Sequence, residues 1–79
     1  MAEHGQIIAG GVWTIYVTRP NGKRLVDGEA TDSAKARQLF HNSIRDEPIT
    51  TLVELVNPAG DRVDHSQGAY EGPHSTAIH

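Results

Sequence analysis

The sequence predicts an α+β fold of the form ββαββ, with a four-stranded antiparallel sheet in the order 2-1-3-4, one helix packed on one face, and disordered termini. Three observations predict it. The stretch from Thr31 to Pro48, TDSAKARQLFHNSIRDEP, carries a helix start, an apolar stripe and a stop. The runs on either side, TIYVTRPNGKRLVDG and TLVELVNPAGDRVDH, share one pattern of β-rich residues turning at Pro-x-Gly. Setting Pro20 on Pro58 aligns Gly22 with Gly60, Arg24 with Arg62, Leu25 with Val63, Ile15 with Val53 and Val17 with Leu55 without a gap. The match reads either as a duplicated hairpin or as convergent hairpin chemistry.

Taken in order, residues 1–11 mix Gly5, Gly10 and Gly11 with little pattern and read as a flexible arm. From Val12 to Thr18 the alternation places Trp13, Ile15 and Val17 on one face and Thr14, Tyr16 and Thr18 on the other, which is a strand. Arg19-Pro20-Asn21-Gly22-Lys23 has the chemistry of a type I turn followed by a bulge, and a second strand follows from Arg24 to about Gly28. Thr31 or Asp32 starts the helix by accepting from its unpaired first-turn N–H groups. Ala36, Leu39, Phe40 and Ser43 then fall at i, i+3, i+4, i+7, with Ile44 at the stripe's edge, so one side is buried. Pro48 ends the helix near Arg45 or Asp46. Ile49 to Val56 is the third strand, Asn57-Pro58-Ala59-Gly60-Asp61 repeats the turn, and Arg62 to His65 is the fourth strand. Residues 66–79 are rich in Gly, Ser, Pro and His without apolar periodicity and read as a disordered tail, leaving one domain over 12–65. The apolar strands one and three belong in the centre, and the short charged ones at the edges.

A packed region this small buries only about 60% of the surface of its unfolded chain, so Trp13, Leu39 and Phe40 are each expected to be essential to folding. There is no cysteine, which fits a reducing cytoplasm and excludes thiol chemistry. No stretch approaches the roughly 20 apolar residues needed to span a bilayer, and the N-terminus lacks the pattern of an export signal. The expected location is the cytoplasm, with no membrane partner. Formal charge is −3, from 7 basic and 10 acidic residues, which disfavours nucleic acid as a partner.

The chain resembles short uncharacterised bacterial ββαββ proteins, a domain of unknown function, through its Trp-led strand GVWTIYV, its Thr-opened, Ala-bearing helix TDSAKARQLF and its Gly-turned final hairpin LVELVNPAGDRVDH. The resemblance implies the fold and leaves the activity open.

Function is sought first on the sheet face away from the helix. Thr14, Tyr16, Thr18, Leu52, Glu54 and Val56 lie there, and Tyr16, Leu52 and Val56 form an apolar cluster of the kind that marks a partner or self-association surface. Thr14, Tyr16, Leu52 and Val56 are the candidate protein-binding residues, for an unidentified protein or a second copy of the chain. The bland alternatives are a solvated sheet face and a face covered by the N-terminal arm. Nucleic acid is the second candidate partner, through Arg19, Lys23, Arg24 and Arg62 near the hairpin turns. Arg37, His41 and Arg45 form another basic row on the helix, but Asp and Glu flank both groups and no aromatic platform is interleaved. Of the five histidines, His4, His74 and His79 are in the termini, and His41 and His65 do not share ligand spacing, so no metal and no cofactor are expected. Asp64-His65-Ser66 are adjacent and therefore diverge along a strand, no phosphate-binding Gly loop is present, and the small core leaves little room for a pocket. The expectation is a small non-enzymatic interaction module.

Overall fold

The computed structural model describes residues 11–71, and its elements run β1 (Trp13–Thr18), β2 (Arg24–Ala30), α1 (Ser33–Asp46), β3 (Leu52–Val56) and β4 (Arg62–Gln67). The sheet order is β2-β1-β3-β4 and every neighbouring pair is antiparallel, the architecture expected from the sequence. The expected arm up to residue 10 and tail beyond residue 71 lie outside the described residues.

Both hairpins close as their turn residues require. Gly22 N–H donates to Arg19 O at 2.8 Å and Gly60 N–H to Asn57 O at 2.9 Å, while Arg19 N–H and Asn57 N–H donate to Lys23 O and Asp61 O. Gly22 (φ +87°) and Gly60 (φ +92°) take the left-handed conformation that closes each turn. Asn21 Oδ1 accepts from Lys23 N–H, and Asn57 Oδ1 from Ala59 and Asp61 N–H, holding the loops locally. Each hairpin also contains a register shift, between Ile15 and Tyr16 in the first and between Leu55 and Val56 in the second. When Pro20 is set on Pro58, the second shift lies two residues nearer its turn than the first.

Helix α1 is capped by Asp32, whose side chain accepts from Lys35 N–H at 2.8 Å. It ends at Glu47, whose N–H donates to Ser43 O before Pro48 turns the chain away. Arg45 in the last turn hydrogen-bonds Asp46, and that bond together with the carboxylate's charge raises its pKa. Ala36 and Phe40 lie on Ile15, Val17, Val53 and Leu55 to make the core. Trp13 and Leu39, expected to be as central as Phe40, pack only partly buried against this cluster. Ser43 is buried on the same stripe, where its hydroxyl donates to Asp27, the residue at the β2 bulge.

The strand ends differ from the sequence reading: β1 begins at Trp13 rather than Val12, and β2 runs to Ala30 rather than Gly28 because Ala30 pairs with Trp13. β3 begins at Leu52 rather than Ile49, because Thr51 N–H donates to Pro48 O and the intervening residues form a turn. β4 runs to Gln67 rather than His65, since Ser66 and Gln67 pair with Val53 and Leu52. The chain then docks as a strap: Gly68 N–H donates to Thr51 O, Ala69 N–H to Ile44 O near the helix end, and Tyr70 N–H to Glu47 O. Residues 66–71, expected in a disordered tail, are thus part of the fold. Backbone pairing overrode a composition that looks like loop.

Candidate functional site

The alternation of β1 and β3 decides the content of the free face. Ile15 pairs with Leu55 and Val17 with Val53 beneath the helix, so Thr14–Val56, Tyr16–Glu54 and Thr18–Leu52 are the central pairs of the opposite face. On the flanks, Arg24 pairs with Thr18, Val26 with Tyr16 and Glu29 with Thr14 on β2, while Gln67 pairs with Leu52, His65 with Glu54 and Arg62 with Val56 on β4. Among the described residues no element covers this face.

Tyr16, Leu52 and Val56 share the free face, but Glu54 stands between Leu52 and Val56 along β3 and opposite Tyr16, so the expected apolar cluster is divided by a carboxylate. Arg24 Nε donates to Glu54 Oε1 at 3.2 Å and Arg62 Nη1 donates to Glu54 Oε2 at 3.1 Å, so two edge strands send guanidiniums inward to one carboxylate. Arg24 also lies over the Tyr16 ring, with its Cζ 3.8 Å from the centroid. Glu54 is 9% exposed and so is Val56, while Tyr16 and Leu52 are half-buried. The Arg side chains remain near half exposed, at 49% and 47%. Arg24 covers the Tyr16 ring, and both guanidiniums keep part of their N–H surface in solvent.

This row is symmetric. The alignment that matches Arg24 to Arg62 also matches Tyr16 to Glu54, which are cross-strand partners. A local twofold therefore passes through the Tyr16–Glu54 pair, with one arginine on each side.

The four arginine-patch candidates do not form one surface. β1 and β3 are antiparallel, so the two hairpin turns lie at opposite ends of the sheet. Arg19 turns to Glu47 at 3.6 Å, Lys23 stands exposed in its turn, and only Arg24 and Arg62 converge. On the helix, Arg37 pairs with Asp64 at 3.4 Å and Arg45 with Asp46, which accounts for most of the other basic row. Asp64, His65 and Ser66 diverge: Asp64 meets Arg37, His65 lies on the free face, and the Ser66 hydroxyl donates to Gln67 O. Among the described residues no three His, Asp or Glu side chains gather as a metal cluster, and no helix is long and apolar enough to cross a membrane.

Two open clefts exceed the expected space for a pocket. One of about 420 Å³ is lined by Trp13, Thr31, Asp32, Ser33, Asn57, Pro58 and Ala59, and one of about 350 Å³ by Pro48, Ile49, Thr50, Tyr70 and Glu71. Both lie where loops join elements, which the size of the core does not limit.

No protein-family model, curated protein or solved structure matches this chain. The role of the free face rests on its own geometry.

Proposed function

We propose that this protein is a small non-enzymatic module that binds another protein chain through the free face of its sheet. The observation that carries the reading is the construction of that face. Tyr16, Leu52 and Val56 supply apolar contact, Arg24 lies over Tyr16, and Arg24 and Arg62 are both fixed by one nearly buried carboxylate, Glu54. Rigid arginines beside aromatic and aliphatic area are the residue types that concentrate binding energy in interfaces. Nucleic-acid binding through Arg19, Lys23, Arg24 and Arg62 has less support. The four are dispersed, Arg24 covers the Tyr16 ring that a base would stack on, and the chain carries a formal charge of −3.

A photo-cross-linking residue placed at Thr14 or Leu52 in the producing cell, compared with one at Gln38 on the exposed side of α1, tests the reading. Adducts with a protein chain are expected from Thr14 and Leu52 and not from Gln38. Adducts from Gln38 alone, or from none of the three, would end the reading.

A further inference from the structure

The register of the sheet specifies which chain the free face fits. Its charged corners are Arg24 and Glu29 on β2 and Arg62 on β4, with the neutral Gln67 at the fourth corner. Arg62 and Glu29 lie at the same end of the sheet, since Thr14 pairs with both Glu29 and Val56 and Val56 pairs with Arg62. Two such faces can be laid together about a twofold axis in only two aligned ways, along the strands or across them. An axis across the strands also pairs Arg24 with the partner's Glu29, but it sets Glu54 against the partner's Glu54 and His65 against the partner's His65, two carboxylates meeting on the axis of a closing interface. An axis along the strands sets each row against its own reverse. Arg62 then meets the partner's Glu29, Arg24 meets the partner's Gln67, Tyr16 meets the partner's Glu54, and Leu52 meets the partner's Thr18. No like charges face one another in that arrangement.

We infer that the protein bound by the free face is a second copy of this chain, packed face to face about a twofold axis parallel to the strands, with reciprocal Arg62–Glu29 ion pairs. The inference rests on the protein-binding reading and names its partner. Glu29 is exposed and its carboxylate meets no hydrogen-bond or ion-pair partner among the described residues, and Arg62 commits one N–H group to Glu54, so both have capacity to pair across the interface. Val26, 54% exposed on the same face, becomes covered opposite the partner's His65. Strands about 4.8 Å apart, rising about 3.3 Å per residue, make a face of roughly 400 Å², about half of what one side of a standard interface contributes. The dimer is accordingly weak, concentration-dependent and loosened by salt.

The test is sedimentation equilibrium of three samples over a dilution series: Glu29→Arg alone, Arg62→Glu alone, and the two mixed in equal amounts. Each variant alone sets like charges together twice and is expected to lose self-association by at least about tenfold. In the mixture, each interface again holds two opposite-charge pairs, and association is expected to return. Glu29→Arg changes an exposed residue, so it still tests whether the faces associate if Arg62→Glu, beside Glu54, disturbs folding. Loss on Arg62→Glu selects the axis along the strands, because an axis across them sets Arg62 against the neutral Gln67. A parent chain that stays monomeric at every concentration, or a Glu29→Arg variant that associates like the parent, would overturn the inference. Cross-linking from Thr14 or Leu52 to a different protein, with the parent chain monomeric, would overturn it and leave the protein-binding reading standing.

Discussion

Glu54 shows what a single residue decides in this protein. In the sequence it interrupts an apolar strand on the free face with no partner indicated, whereas in the fold it is 9% exposed and bonded by two arginines from opposite edges of the sheet. The alternation was legible, because strand periodicity is local. The convergence was not, because Arg24 and Arg62 flank different turns and meet only across four strands. The turn glycines are the opposite case, fully legible and local. At Gly22 and Gly60 a Cβ would meet nothing within 4 Å, so substitution by alanine acts through the left-handed backbone alone. Gly22→Ala and Gly60→Ala are each expected to lower stability by about 1–2 kcal/mol and by similar amounts, read from urea unfolding. A large difference between them would mean that the hairpins are not equivalent.

At the scale of elements, the strap at residues 68–70 is the feature that composition concealed. Gly, Ala and Tyr after a Ser-Gln pair carry no strand signal, yet three backbone hydrogen bonds tie them to Thr51, Ile44 and Glu47. Gly68 permits this contact. A Cβ there would overlap the carbonyl oxygens of Glu47 and Pro48, which are backbone and cannot step aside. Gly68→Ala is therefore expected to release the strap while the sheet persists. Amide exchange at Ala69 and Tyr70 should become fast, with Ile15 and Val17 still protected. Retained protection at Ala69 would show that the backbone accommodates the methyl group. The helix, in contrast, was readable from end to end, since its cap, stripe and stop are all sequence-local.

At the scale of the whole molecule, the core of the described residues is formed by Ile15, Val17, Ala36, Phe40, Val53 and Leu55. Phe40 is the largest side chain among them and is 1% exposed. Phe40→Ala is expected to cost about 3–5 kcal/mol, comparable with the total stability of a domain of this size at roughly 0.05–0.15 kcal/mol per residue. Thermal unfolding followed by circular dichroism should show the variant largely unfolded at 37 °C. Trp13 and Leu39, which apolar character alone ranks beside Phe40, sit at the rim, so their truncation is expected to be milder. Rank within a core depends on distance from its centre, which hydrophobicity does not encode.

The sequence by itself determined the elements, the turns and the buried helix stripe, which follow from periodicity, capping or backbone preference acting over a few residues, and the strand order, which follows from two strands being apolar and two short and charged. Only the tertiary structure decided where β4 stops, which apolar residues stand at the centre, and that Arg24 and Arg62 share Glu54. Those outcomes depend on groups far apart in the chain, and their contacts exist only once the sheet has assembled.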